Sequence, residues 1–305
     1  MKYDISRNAK TLELDKILEL LSLQAGLADT AENALSLTPS SDFEEVKASL
    51  DKTNDAYIFM SKYSAPSFGA AKNVSSPLKR AQASAVLSIK ELLDIAETLR
   101  IIRGVKVWRE NCGGLKDTSL EDYFYSLIPN KYLEDKINFA IKSEEELNDN
   151  ASQALYDIRR KLTAKSAKIR EILERIVRGP TAKYLQDAII TQRDGRYVVP
   201  LKSEYKGQIN GVVHDTSATG STIFIEPMSV VETNNEIRVL KSREQEEIER
   251  ILSELSADAG GSADSIIYSY KALCAIDMAF AKAKLAYKMK ASLPIINKDG
   301  HIFLK

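Results

Sequence analysis

Cysteine and histidine are scarce in this sequence, whose 305 residues include two of each. Two cysteines are too few for a disulfide-stapled secreted domain. Cys112 and Cys274 are therefore predicted to be free buried thiols in a reducing cytoplasm, with pairing as the alternative. Neither His214 nor His301 stands at metal-ligand spacing from a cysteine. No metal site and no cofactor site is expected in the chain.

Long apolar runs are absent as well. The first five residues, MKYDI, contain no apolar signal core. No stretch approaches the ~18 apolar residues that a membrane span requires. Secretion and membrane insertion are not predicted, and a cytoplasmic location is expected.

A net charge is also missing, since 43 Lys and Arg residues balance 43 Asp and Glu residues. This balance argues against a protein that coats nucleic acid through general positive charge, although local basic patches are compatible with it. A hydrophobic content of 44% and a charged content of 28% are typical of a soluble globular protein. A chain of this length can hold two or three domains and bury a core.

Most of the chain shows helical periodicity. Ser41 with Glu44, and Ser88 with Glu91, have the spacing of capping boxes at two helix starts, and Trp108 is predicted to lie in a core. Two long helices follow, from about 149 to 178 and from about 231 onward. Their apolar stripes have the alternating three- and four-residue steps of an antiparallel coiled coil, interrupted at Lys165. The predicted stripes are Ala151, Ala154, Ile158, Leu162, Ile169, Ile172 and Ile176, and then Ile237, Leu240, Ile248, Ile251 and Leu255.

The two long helices carry opposite charges. Basic residues dominate from 156 to 183, and acidic residues dominate from 232 to 258. One explanation is a basic face that binds nucleic-acid phosphates; the other is a set of flanking ion pairs that fixes the register of the two helices. Ion pairing is favoured, because complementary charge on the partner helix explains the pattern without a ligand.

Between the two helices the periodicity becomes that of strands. Asp194-Gly195 predicts a two-residue hairpin turn, since glycine tolerates the positive φ of that turn. Pro200 cannot donate to a ladder, so its strand is expected to be an edge strand or to carry a bulge. A sheet this small is expected to depend on the helix ends for stability. The four predicted strands are 188–193, 196–202, 208–214 and 221–225.

Basic and aromatic residues of this sheet are the candidate nucleic-acid contacts, because exposed lysine and arginine reach phosphate backbones. Ion pairing with the four acidic residues of 188–228 is an equal alternative, so weak affinity is expected. Tyr197 is expected to pack. His214-Asp215 is expected to form a structural hydrogen bond, and no catalytic residue is predicted, because no nucleophile or metal cluster accompanies that pair. The candidate contacts are Arg193, Arg196, Lys202, Tyr205 and Lys206.

The last part of the chain begins at a glycine pair. Gly260-Gly261 is expected to form a kink or a short loop, because glycine costs about 1 kcal/mol inside a helix. The alanine-rich segment 272–286 is predicted to be a helix that packs tightly into the body. Residues 295–304 suggest the opening hairpin of a further domain, which predicts that the sequence stops at a domain boundary.

Several motifs occur together in a specific order. Five lie in and around the predicted sheet: QRDGRYVVP at 192–200, EYKG at 204–207, GVVHD at 211–215, SATG at 217–220 and FIEP at 224–227. Others are LDKIL at 14–18, LTP at 37–39, DNAS at 149–152 and DMAFAKAKLA at 277–286. Together they closely resemble the bacterial MutS-II family over the whole chain. Gly260-Gly261 departs from the family, which is continuously helical there.

This resemblance implies a mainly α fold with a small β insert. It consists of a helical core domain, a long antiparallel coiled-coil lever and a four-stranded β clamp at the lever's tip. In full-length relatives an ATPase domain, which uses ATP and Mg, and a nuclease-like Smr domain follow. The implied domains are 1–145 as the helical core, 146–187 as the ascending lever helix, 188–228 as the β clamp, 229–262 as the descending lever helix, and 263–305 as the return to the core and the start of the ATPase domain.

Three functions are compatible with this resemblance. The clamp could serve an ATPase that encircles branched or recombining DNA, or it could grip the rRNA of stalled or collided ribosomes that the ATPase splits. The third is a purely structural coiled-coil scaffold or dimerisation module. The sequence contains no G-x-x-x-x-G-K-[ST] phosphate loop, so the chain itself is expected to be no enzyme. The full-length protein is implied to be a homodimer, the chain alone is predicted to be monomeric or weakly dimeric, and no membrane partner is expected.

Overall fold

The computed structural model describes residues 5–115 and 117–303. Over these residues the chain is mainly helical with small antiparallel sheets, which confirms the predicted fold class at that level. The chain divides into two compact units. The first unit is Met1–Glu146 with Ser253–Lys305, and the second unit is Leu147–Leu252.

Helices build the first unit. A short two-stranded sheet, which the periodicity does not predict, follows residue 140, and the long helix at Met228–Gly261 contributes residues to both units. The elements are α1 (Ile5–Thr11), α2 (Leu14–Ser22), α3 (Ala28–Leu35), α4 (Phe43–Tyr63), α5 (Ser75–Gln82), α6 (Ile89–Asn111), α7 (Glu121–Tyr125), α8 (Lys131–Ala140), β1 (Ile141–Ser143), β2 (Glu146–Leu147), α10 (Met228–Gly261) and α11 (Ala263–Met289).

Helix α11 lies at the centre of the first unit's core. Its Leu273 and Phe280 are fully buried in one cluster with Phe59 of α4 and Ile102 of α6. The ring of Trp108 packs against this cluster, 5.6 Å from the Phe280 ring, so the prediction that Trp108 lies in a core is confirmed. Buried alanines on α11 let neighbouring helices approach closely, as the alanine-rich sequence predicts.

Of the two predicted capping boxes, one forms. Ser88 accepts from the backbone N–H of Glu91, whose carboxylate accepts from the N–H of Ser88. The box predicted at Ser41 is wrong. Asp42 caps α4 instead and accepts from the backbone N–H of Glu45 at 2.8 Å. The cap is shifted by one residue, so the N–H of Glu45 rather than that of Glu44 is satisfied, and aspartate is as good an N-cap residue as serine.

The glycine pair lies at a helix junction. Helix α10 ends at Gly261, Ser262 forms a one-residue turn, and α11 begins at Ala263. A Cβ on Gly260 would stand 2.7 Å from the carbonyl oxygen of Ala81, the residue before the last in α5. Glycine is therefore required at 260 by the close approach of α5, a reason that the sequence does not show.

Residues 291–303 form neither helix nor strand in the described part of the chain. The hairpin predicted at 295–304 is therefore absent over 295–303, and Leu304 lies outside the described residues. Ile295, Ile302 and Phe303 are almost fully exposed. No neighbouring strand within the described chain pairs with their backbone.

The second unit contains one long helix, a four-stranded sheet and the first part of α10. The predicted strand boundaries shift by up to three residues, and the helix predicted from 149 begins as a 3₁₀ turn, Asp149–Ala151. The elements are α9 (Gln153–Arg178), β3 (Thr191–Arg193), β4 (Arg196–Lys202), β5 (Gly211–Thr216) and β6 (Thr222–Pro227).

The sheet order is β3-β4-β6-β5, all antiparallel. The Asp194-Gly195 turn has positive φ at both residues, as its sequence predicts. The expectation for Pro200 is wrong, because β4 is an interior strand without a bulge at this residue. The pairing of β3 with β4 extends only to Thr191, the partner of Val198, so the side of β4 that faces β3 requires no donor at residue 200. The carbonyl oxygen of Pro200 accepts from the N–H of Gln186.

The buried stripe of α9 differs from the predicted one. Leu173 and Val177 are buried together with Ile169, whereas Ile172 and Ile176 are only partly buried. These buried residues belong to one cluster with the sheet residues and with Val230 and Ile237 of α10. The sheet thus packs on the helix ends, and the dependence of its stability on them stays a prediction. The stripe is displaced because the sheet, as well as the partner helix, covers this part of α9.

Candidate nucleic-acid interface

Two short 3₁₀ turns lie side by side next to β4. Gly179-Pro180 ends α9, since proline lacks an N–H, and the chain turns at Pro180–Tyr184. An isolated bridge between Leu185 and Leu201 then attaches this segment to β4. The second turn, Ser203–Tyr205, directly follows β4. The two tyrosines that end these turns therefore meet, with ring centroids 5.1 Å apart.

Two lysines lie beside these rings, and a third follows Tyr205 in the sequence. The Nζ of Lys183 lies 4.9 Å from the ring centroid of Tyr184, and the Nζ of Lys202 lies 6.0 Å from that of Tyr205. Lys206, next to Tyr205 in sequence, is exposed. Within residues 5–115 and 117–303 no carboxylate lies at ion-pair distance from any of the three. We call Lys183, Tyr184, Lys202, Tyr205 and Lys206 the lysine–tyrosine patch.

The two predicted arginines lie elsewhere on the sheet. The Arg193 guanidinium lies over the ring of Phe224, 3.9 Å from its centroid, and pairs with Asp215 at 3.2 Å. The Arg196 guanidinium donates two 2.9 Å hydrogen bonds to the carboxylate of Glu226. The structure therefore brings Lys202, Tyr205 and Lys206 together and gives both arginines intramolecular partners.

Glu226 is the centre of a buried polar network. Its side chain is 1% exposed and accepts from Arg196, from His214 and from the amide of Asn234 at 2.7 Å. The same Asn234 side chain exchanges two hydrogen bonds with the backbone of Tyr197, which fixes β4 on α10. The buried carboxylate is tolerated because it is fully paired.

The hydrogen bond predicted between His214 and Asp215 is wrong. His214 bonds Glu226, and Asp215 pairs with Arg193. A bulge in β5 between Val213 and Asp215 is the reason, because an extra residue in one strand redirects the side chains around it. Both groups have structural partners, so neither is available as an acid–base pair. The ring of Tyr197 is 8% exposed, as expected for a packing residue.

Ion pairs join α9 to the second-unit part of α10. Arg159 pairs with Glu244 at 2.8 Å, and Lys165 pairs with Glu236 at 2.6 Å. The partner number falls as the first number rises, so the helices run antiparallel. Self-pairing of the opposite charges is confirmed at these two positions. Between the two pairs the apolar residues are not fully buried, and a cavity of about 410 Å³ opens there.

Lys183 and Tyr184 were missing from the predicted contacts. Counting charges assigns Lys183 to the basic helix, but α9 ends at Arg178, and the Leu185–Leu201 bridge carries the following turn to β4. A single bridge outside the strands leaves no periodicity to detect. The available indication was the pair of Lys-Tyr neighbours, at 183–184 and 205–206, each beside a turn.

The patch has the chemistry of binding rather than of catalysis. Lysine ammonium groups without acidic partners attract phosphates, and tyrosine rings offer stacking surfaces to bases.

Among the described residues no group of three or more His, Cys, Asp or Glu side chains could hold a metal ion. None of the helices described is long and apolar enough to cross a membrane. Cys112 and Cys274 are both free, as predicted, but only Cys112 is buried, whereas Cys274 is partly buried.

The chain is a mainly helical protein with a four-stranded antiparallel sheet inserted between two long helices. It is 41% identical over 308 residues to a protein named Endonuclease MutS2 from Clostridioides difficile, an alignment that covers 98% of this chain and 38% of the relative. A relative of the same name from Clostridium beijerinckii is 42% identical over 296 residues, covering 96% and 37%.

A third relative, Endonuclease MutS2 of Caldanaerobacter subterraneus, is 37% identical over 306 residues and matches 100% of this chain. No protein-family model matches. The chain belongs to the MutS2 family, as its motifs indicate. It spans about 38% of the length of these curated relatives.

Proposed function

We propose that the second unit binds nucleic acid through the lysine–tyrosine patch. The observation that carries this proposal is the position of Lys183 and Lys202 beside the two contacting tyrosine rings, with Lys206 next in the sequence and no acidic partner for any of the three in the described chain. The lysines supply phosphate contacts, and the rings supply stacking area. Arg193 contributes from the rim, whereas Arg196 positions the sheet through Glu226. The sheet then acts as the clamp, and α9 with α10 acts as its lever.

Salt dependence tests the proposal. We expect the chain to bind a fluorescent duplex or structured RNA weakly in anisotropy titrations. Each lysine that contacts a phosphate contributes about 0.9 to the slope of log K against log salt, so Lys202→Gln with Lys206→Gln lowers this slope by about 2. The matched control is Arg175→Gln with Arg178→Gln, which removes two exposed charges of the same unit that already pair within α9.

Two results decide between binding and scaffolding. If both double variants keep the wild-type affinity and slope, the patch is not a nucleic-acid contact, and a structural scaffold or dimerisation module becomes the better assignment. If both lose the same amount, the attraction is general to the unit rather than specific to the patch. Light scattering bears on the scaffold alternative, since we propose that the chain alone is monomeric or weakly dimeric. A tight dimer contradicts this.

We propose further that the whole protein uses this grip in an ATP-driven cycle on branched DNA or on stalled ribosomes. The name of these relatives, Endonuclease MutS2, supports action on nucleic acid. ATP, Mg and any cleavage are assigned to the part of the relatives outside the matched 38%. Co-sedimentation of the full-length protein with stalled ribosomes, beside its binding to four-way DNA junctions, distinguishes the two targets. Substitutions in the lysine–tyrosine patch are expected to weaken binding to whichever of the two is the target.

A further inference from the structure

A cavity in the first unit combines two lysines with hydroxyl groups. It has a volume of about 310 Å³ and lies between α4 and α11, with α7 at one side. Lys52 and Lys282 line it, together with Ser49, Thr53 and Tyr123. The cavity lies in the first compact unit, whereas the lysine–tyrosine patch lies in the second. The proposed function makes no use of the cavity.

Hydrogen-bond donors exceed acceptors in this cavity. The Nζ of Lys282 donates to the Oγ of Ser49 at 3.2 Å, and the Nζ of Lys52 donates to the Oη of Tyr123 at 2.9 Å. Because both hydroxyl oxygens accept from lysine, their own O–H groups can donate elsewhere. Each ammonium group also has further N–H donors. The cavity therefore presents two cations and two hydroxyl donors.

Neither lysine has an acidic partner in the part of the chain that the structure describes. Glu45 also lines the cavity, and its carboxylate accepts from the hydroxyl of Ser40. Burial lowers the pKa of Lys282, and the positive charge of Lys52 lowers it further. Two like charges held close together in a partly buried cavity are destabilising unless an anion joins them.

We propose that this cavity is a binding site for a phosphate group, either free or as a monoester. Lys52 and Lys282 neutralise the phosphate charge, while Ser49 and Tyr123 donate hydrogen bonds to its oxygens. The cavity holds about ten times the ~30 Å³ that one water occupies in the liquid. A single phosphate with a small organic substituent therefore fits, whereas a nucleic-acid duplex is excluded by size.

Thermal unfolding of the whole chain tests the proposal. At constant ionic strength, replacing chloride by inorganic phosphate is expected to raise the Tm by roughly 2 °C or more, since a ligand that binds only the folded state stabilises it. Lys52→Gln with Lys282→Gln abolishes this rise. Lys271→Gln, an exposed lysine of the same helix α11, leaves it unchanged. Equal Tm values in phosphate and chloride overturn the proposal, as does an undiminished rise in the double variant.

Two further arms sharpen the test. If the site binds a monoester, AMP raises the Tm at a lower concentration than inorganic phosphate does; if it binds free phosphate, AMP does not. If acetate raises the Tm as much as phosphate does, the assignment to phosphate is overturned. Should the double variant fail to fold, lysine acylation of the wild-type chain replaces it. Lys282 is expected to be acylated faster than Lys271 near neutral pH, and phosphate is expected to slow the acylation of Lys52 and Lys282 but not that of Lys271. Equal protection of Lys282 and Lys271 contradicts a site.

Discussion

At the scale of single residues, Gly260 and Gly261 are neighbours with different constraints. A Cβ at 260 would stand 2.7 Å from the Ala81 carbonyl oxygen, whereas a Cβ at 261 would meet nothing within 4 Å. We expect Gly260→Ala to lower the free energy of unfolding by about 1–3 kcal/mol through overpacking. Gly261→Ala is expected to be neutral or to stabilise by up to about 1 kcal/mol, because alanine favours the helix. Urea unfolding measures both, and equal effects would show that the contact with α5 is unimportant.

Asp277 is a second residue whose environment sets its energetics. Its carboxylate is fully buried in α11 and accepts from the backbone N–H groups of Gly26 and Leu27 at 2.9 Å, which caps α3. Burial raises the pKa of Asp277 above its ordinary value of 3.8, although these hydrogen bonds oppose the change. The folded state therefore holds the proton more tightly than the unfolded state does.

The sign of the pH dependence follows. A raised folded pKa contributes stability while the group is protonated, and this contribution is lost as the pH rises from about 3.8 through the folded pKa. Asp277→Asn cannot titrate. The stability of the wild type relative to Asp277→Asn should therefore be greatest at about pH 4 and smaller at about pH 7. Urea unfolding of both proteins at the two pH values measures this difference, and the opposite trend would show that the hydrogen bonds outweigh burial.

At the scale of elements, the buried network attaches the sheet to α10. Glu226→Ala leaves Arg196 and His214 without their partner, and we expect a loss of about 3 kcal/mol in the stability of the second unit. Asp215→Ala is the control. It also removes the carboxylate of an ion pair in the same sheet, but this carboxylate is half exposed, so the expected loss is below about 1 kcal/mol. Hydrogen exchange of β4 and β6 reports both, and similar losses would contradict a special role for Glu226.

The secondary-structure elements also show which features of the fold can be predicted from periodicity. The helix–sheet–helix order and the Asp194-Gly195 hairpin are local properties, since a change of period and a turn dipeptide lie within a few residues. The buried face of α9, in contrast, is determined by residues distant in the sequence. Leu173 and Val177 are covered by the sheet, and no spacing rule for a helix pair includes that cover. Of the candidate contacts, Lys202, Tyr205 and Lys206 lie together, but Tyr184 joins them through a bridge that the sequence does not reveal.

At the scale of the whole molecule, each compact unit has a large hydrophobic core of its own, and the two cores share no residue. The core of the first unit centres on α11 and includes Phe59 and Phe280, with Trp108 packed against it. The core of the second unit lies between 169 and 237 and includes Leu173 and Ile225. Because the sequence has one tryptophan, its fluorescence reports on the first core, while hydrogen exchange in β3–β6 reports on the second.

This arrangement allows the independence of the two cores to be tested with two substitutions. Ile225 is 3% exposed, and Ile225→Ala is expected to cost the second unit about 2–5 kcal/mol. Exchange in β3–β6 should then accelerate, while the urea midpoint of Trp108 fluorescence remains unchanged. Leu273→Ala, at a fully buried residue of α11, should lower that midpoint and leave exchange in β3–β6 as it was. If either substitution moves both signals equally, the chain unfolds as one cooperative unit, because α10, which has residues in both units, transmits the loss between them.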